Sequence, residues 1–229
     1  MIYKFDSSTP PKEIINSAML WIAELMKNDG FRFLKSKLEV VKKTNNFVFV
    51  IRPQSNRYNM RGEIVEMWLH CAVYSKADDT TFWYKTLASS NAKQDQFYHY
   101  ELFPQKKYEQ SLQCICKIIS LHLLPFFRRF EIDLANFVDD VAENGFCAFA
   151  GEQVYDANYY IPINFLLKYG TKEHLNTAFQ NYIDRHLLDY VKPNMKMAME
   201  LLASGKEIKK NGEKEYAEIA VQQGLNLIF

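Results

Sequence analysis

The chain has 229 residues, 48% of them hydrophobic, enough to bury a real core in one large domain or two small lobes. Its 28 basic and 27 acidic residues leave a net charge of +1, so global charge makes no case for nucleic acid or an anionic membrane. Only 8 glycines and 7 prolines, with 15% aromatic residues and no low-complexity tract, exclude a disordered or linker-rich chain.

Met1-Ile2-Tyr3-Lys4-Phe5-Asp6 contains no apolar signal-peptide segment, and no later window reads as the roughly 18 uncharged apolar residues of a spanning helix. The expectation is a cytoplasmic protein with no membrane role. Ser7-Ser8-Thr9-Pro10-Pro11 opens a helix from Pro11 to Lys27, because Ile14, Ile15, Ala18, Met19, Ile22 and Leu25 recur at helical spacing. Asn28-Asp29-Gly30 ends it. Leu34, Leu38 and Val40 against Lys35, Lys37 and Glu39 then predict a first strand with one wet face, turning at Thr44-Asn45-Asn46.

Phe47-Val48-Phe49-Val50-Ile51 is the densest β-branched and aromatic run and predicts a central strand covered on both faces, stopped by Arg52-Pro53. From Glu63 to Ser75 the chain alternates. Val65, Met67, Leu69, Cys71 and Val73 point one way, and Ile64, Glu66, Trp68, His70, Ala72 and Tyr74 the other. Two shorter strands are predicted at Thr81 to Leu87 and Phe97 to Phe103, separated by the polar loop Ala88 to Gln96.

Pro104 closes the sheet region, and the period becomes helical. Tyr108, Leu112, Ile115, Ile119, His122 and Leu123 form one stripe, Pro125 kinks that helix or opens the next, and Phe126 to Val141 continue in register to Asn144-Gly145. Pro162 to Tyr169 is a short helix ended by Gly170. Thr171 caps a longer one through Leu187, Pro193 opens another that closes near Gly205, and Gly212 and Gly224 bracket the last. The expected fold is α+β: an N-terminal helix packed on an antiparallel sheet of about four strands, followed by an α-helical C-terminal half. The helix-plus-sheet lobe is expected over 1–104 and the helical lobe over 105–229, in one compact body.

Amphipathic helix, Gly30-Phe31, a basic strand, a hydrophobic strand ending in Gln54-Ser55, a long alternating strand and Leu124-Pro125-Phe126-Phe127 follow one another in that order. Over about residues 11–140 this arrangement resembles an uncharacterised bacterial family known only as a domain of unknown function. The resemblance implies an α+β fold with a helical tail and assigns no functional residue.

No motif for catalysis, nucleotides or metal accompanies these elements. Ser204-Gly205-Lys206-Glu207 lacks the upstream glycine and following Ser or Thr of a phosphate loop, and no HExxH occurs among the five histidines. Cys71, Cys114, Cys116 and Cys147 have no ligand spacing and read as reduced core thiols; no cofactor or metal is expected. Asp139, Asp140 and Glu143 bring carboxylates close enough to hold a cation, although neighbouring acids on an exposed helix are ordinary.

Charge distribution carries more. Residues 31–61 hold Arg32, Lys35, Lys37, Lys42, Lys43, Arg52, Arg57 and Arg61 against Glu39 alone, eight minus one or +7. Residues 131–165 hold Glu131, Asp133, Asp139, Asp140, Glu143, Glu152 and Asp156 with no basic residue, −7. Either the two poles face each other or scatter over separate surfaces, or the basic sheet region is a binding surface. The second reading expects a non-enzymatic interaction module, of adaptor or immunity type, that takes an acidic protein partner through Lys35, Lys37, Arg57, Tyr58, Arg61, Trp68 and His70. The alternatives are an enzyme in which His70 meets Glu66, or His99 meets Glu101, and a nucleic-acid binder, for which the net charge argues poorly.

Overall fold

The structure is a computed structural model that describes residues 3–87, 99–147, 160–186, 188–208 and 211–229. The chain forms two compact units, Met1–Arg128 and Arg129–Phe229, and its fold is α+β.

In the first unit α1 (Pro11–Leu25) begins with proline in its first turn, where a missing amide hydrogen costs nothing. It buries Ile14, Ile15, Ala18, Met19, Ile22 and Ala23 along one stripe, and lies against the first three strands. The strands are β1 (Arg32–Leu34), β2 (Glu39–Lys43), β3 (Phe47–Ser55), β4 (Glu66–Ser75), β5 (Thr81–Leu87) and β6 (Tyr100–Glu101). They form one antiparallel sheet in the order β1-β2-β3-β4-β5, with β6 also paired to β4.

The sheet therefore has six strands where about four were expected, and it departs from the expectation locally at two places. The single strand read from Phe31 to Val40 is a hairpin of β1 and β2. Its turn at residues 35–38 puts Leu38 in the left-handed region at φ 57, without the glycine or asparagine that normally announces such a turn. Arg52-Pro53 does not stop β3 either, because Pro53 pairs with Leu69 of β4. β2 accompanies β3 only as far as Ile51, so Pro53 lies where β3 has become an edge on that side, a position at which a strand tolerates proline. The strand expected at Phe97 to Phe103 is described only from residue 99, and the loop expected at Ala88 to Gln96 lies outside the described residues.

The alternation in β4 was read correctly: Val65, Met67, Leu69, Cys71 and Val73 are all fully buried. They join Phe47, Phe49 and Ile51 on the inner face of the sheet. The outer face of β3 is more open than a strand covered on both sides, with Val48 half-buried and Arg52 and Gln54 exposed.

α2 (Gln105–Ile118), a wide π turn (Ile119–Leu123) and α3 (Leu124–Ile132) run on as one helix of 28 residues. Pro125 cannot donate to the carbonyl four residues back, and the turn widens immediately before it instead of breaking. By length and composition this helix could cross a membrane, contrary to the window reading above, yet 44% of its most apolar segment is buried. Its Phe126 packs on Trp83 at 4.7 Å and its Phe127 on Phe49 at 4.9 Å, as residues of a core helix do.

The second unit consists of the end of α3 with α4 (Leu134–Asn144), α5 (Ile163–Tyr169), α6 (Lys172–Arg185), α7 (Val191–Ala203) and α8 (Lys214–Gln222). The helical register read continuously from Phe126 to Val141 breaks at Asp133, which takes φ −146. Phe130, Phe137, Phe146 and Phe165 form an aromatic core, with Phe130 and Phe137 centroids 4.7 Å apart. Gly170 separates α5 from α6 because a Cβ there would lie 2.7 Å from the Leu166 carbonyl oxygen. Thr171 then caps α6 as its sequence predicts: its hydroxyl accepts from the His174 amide, and His174 Nδ1 accepts from the Thr171 amide.

Candidate functional site

The antiparallel register places four of the eight basic residues of 31–61, Lys35, Lys37, Arg57 and Arg61, at one end of the sheet, while Arg32, Lys42 and Lys43 lie farther along the strands. Lys35 and Lys37 lie in the β1–β2 turn, beside the start of β2, while Arg57, Tyr58 and Arg61 lie between β3 and β4. β3 runs antiparallel to β2, so the end of β3 and the beginning of β4 sit at the same end as that turn. All five side chains are exposed, and the Arg57 guanidinium lies over the Tyr58 ring at 4.6 Å and donates to its hydroxyl. Among the described residues none of Lys35, Lys37, Arg57 and Arg61 forms an ion pair.

Trp68 and His70 stand next to this end, opposite Gln54 and Arg52 respectively. His70 is held by three groups from the strands on either side. Its Nδ1 lies 2.8 Å from the Tyr84 hydroxyl and 2.9 Å from Thr86 Oγ1, and its Nε2 lies 2.8 Å from Gln54 Oε1. The neutral tautomer with Nε2–H donating to Gln54 leaves Nδ1 a single lone pair, which the Tyr84 and Thr86 hydroxyls share. Burial, and then the Arg52 charge opposite, push the His70 pKa below its ordinary value. Tyr84 stacks on the imidazole at 5.5 Å with the rings 18° from parallel, and Arg52 lies 5.8 Å from the Tyr84 ring. This arrangement fixes an imidazole in place and leaves it neither a spare proton nor an uncommitted lone pair.

The structure does not bring His70 to Glu66, because two residues of the same strand four positions apart stand about 13 Å apart along it. Glu66 instead meets His99, at 2.9 Å from Nε2, and accepts from Asn56 Nδ2 at 2.6 Å. His99 stands just before β6, whose pairing of Glu101 with Glu66 sets it there, with its ring edge-on to Trp68. Glu101 pairs with Lys107 at 3.2 Å rather than with His99.

Three acids of the second pole, Asp139, Asp140 and Glu143, find partners in their own unit. Asp139 accepts from His174 Nε2 at 2.7 Å, Asp140 from Arg129 at 2.6 Å and Glu143 from Arg185 at 2.9 Å. Three different partners hold these three carboxylates. Among the described residues no three His, Cys, Asp or Glu side chains are grouped as metal ligands would be. Glu152 and Asp156, counted in this pole, lie outside the described residues. Of the cysteines, Cys71 is fully buried, whereas Cys114, Cys116 and Cys147 are half-buried.

A second cluster escaped the sequence reading. Tyr160, Tyr182, Tyr190, Tyr216, His186 and Glu213 line a cavity of about 360 Å³ within the helical unit. Tyr182 lies in α6 and Tyr216 in α8. The signal available was a tyrosine-rich chain, 14 in all, with Glu213 just before a helix start.

The chain matches no family model, no curated protein and no solved structure. The resemblance read over about residues 11–140 is thereby overturned, since its short motifs, Gly30-Phe31 and Gln54-Ser55 among them, are generic to a helix-plus-sheet fold.

Proposed function

We propose that this protein is a non-enzymatic, cytoplasmic interaction module, of adaptor or immunity type, that captures an acidic segment of a partner protein with the basic end of its sheet. The observation that carries this reading is that Lys35, Lys37, Arg57 and Arg61 share one end of the sheet, are exposed, and make no ion pair among the described residues. Cations left without acids of their own create a positive field that steers and orients a negative partner. Tyr58 and Trp68 supply aromatic surface beside them, the combination enriched at interface anchors.

The test is titration with a peptide rich in glutamate and with its glutamine counterpart, followed by fluorescence anisotropy at low and raised salt. The glutamate peptide binds, the glutamine peptide does not, and affinity falls as salt rises. Equal binding of the two peptides, or binding of neither, removes the reading. Nucleic acid that outcompetes the glutamate peptide would reassign the same surface to phosphate backbones.

A further inference from the structure

The cavity of the helical unit holds a buried carboxylate that pairs with no lysine or arginine among the described residues. Glu213 is 5% exposed and accepts from the Tyr182 hydroxyl at 2.8 Å. Its backbone is fastened by Asn211, whose side chain accepts from the Glu213 amide and donates to the Asn194 carbonyl. Among the described residues no Lys or Arg pairs with Glu213; the adjacent Lys214 turns to Glu218. Buried carboxylates are ordinarily matched by a positive charge, because desolvation otherwise penalises the ion.

Around this carboxylate stand aromatic rings set nearly at right angles. Tyr182 meets Tyr216 at 5.1 Å and 84°, and meets His186 at 5.0 Å and 74°. Tyr160 and Tyr190 complete the rim, 74% and 54% exposed, so the cavity opens to solvent through aromatic side chains. Glu215 adds a second acid to the lining. Burial pushes the Tyr216 phenol up to about 12, so it remains a neutral ring with a negative π face.

We infer that this cavity is an aromatic cage for a small organic cation of the quaternary or alkylated ammonium class, with Glu213 as its counter-ion and Tyr160, Tyr182, Tyr190 and Tyr216 as its walls. The ring faces attract a cation that is too fully alkylated to be well hydrated, and the carboxylate supplies a negative charge that no described lysine or arginine pairs with. The volume stands at the small end of small-molecule sites, about 300–1,000 Å³, which suits a head group and not an extended ligand. A neutral molecule of the same shape would forfeit both attractions.

The experiment is calorimetric titration of the full chain with tetramethylammonium chloride and, separately, with neutral 2,2-dimethylpropan-1-ol. Tetramethylammonium binds at least about tenfold more tightly than the alcohol, a difference of about 1.4 kcal/mol. Glu213→Gln, which keeps the acceptor for Tyr182, weakens cation binding by about tenfold with the melting temperature nearly kept. Tyr190→Ala, at an exposed rim position, weakens it independently of any effect on the core. Trimethyllysine as a capped amino acid forms a further arm: tighter binding than tetramethylammonium identifies a modified side chain as the source, and equal binding identifies a free amine. Equal binding of alcohol and cation, cation binding unchanged in both variants, or no heat from either probe overturns the inference.

Discussion

His70 on β4 and Arg52 on β3 stand directly opposite each other, so a second positive charge on the imidazole would face the guanidinium across one sheet rung. Burial and this neighbour both favour the neutral ring. The folded protein then holds the His70 proton less tightly than the unfolded chain does. Its contribution to stability is fully present above the unfolded value of 6.5 and is lost as pH falls from there toward the lower folded value. An NMR titration of the His70 ring should give a midpoint below 6.5, and His70→Gln should flatten the acid limb of the stability curve. A midpoint at or above 6.5 would show that the three hydrogen bonds do not hold the neutral tautomer.

Phe49 lies at the centre of the first unit, fully buried and packed on Phe127, Phe47 and Phe31. Phe49→Ala removes the ring and leaves a cavity that neighbouring strands cannot close, at a cost of about 3–5 kcal/mol. Tyr84→Ala, on the outer face and 48% exposed, should cost far less. Urea unfolding of the two variants measures the contrast, and similar losses for both would place the core on the wrong side of the sheet.

Thr171 and His174 satisfy each other's backbone amides at the start of α6, and His174 also reaches Asp139 of α4. Thr171→Ala removes one acceptor and should lower stability by about 1 kcal/mol. His174→Ala removes the reciprocal acceptor and the link between the two helices, and should cost at least as much. Denaturant melts of the two single variants and the double variant would give less than additive losses, since one capping box is shared. Additive losses would mean that the two residues act separately.

Much of the sheet was legible because burial imposes a period of two, and Val65 through Val73 display it without interruption. The β1–β2 hairpin was hidden because Leu38 takes a left-handed conformation that its side chain does not advertise. Pro53 misled for a different reason: a proline halts a strand only where the ladder needs its amide, and the length of β2 decides that. The helix caps at Thr171 and Gly170 could be read because their causes are local. The partners of Glu66 and Glu213 could not. Each is set by a residue about 30 positions away, His99 for one and Tyr182 for the other, and no spacing rule reaches that far.

Four exposed cations at one end of the sheet form the proposed binding surface. Reversing them together, Lys35→Glu, Lys37→Glu, Arg57→Glu and Arg61→Glu, should abolish binding of a glutamate-rich peptide, with a loss well beyond tenfold in Kd, or more than about 1.4 kcal/mol. Thermal stability should barely change, because exposed charges, even those in surface ion pairs, contribute only about 0–1 kcal/mol to folding. Anisotropy titration and a thermal melt on the same preparation give both answers. Lost binding at an unchanged melting temperature is the predicted result. Retained peptide binding, or a melting temperature that collapses on reversal, would contradict the claim that this end of the sheet is a binding surface.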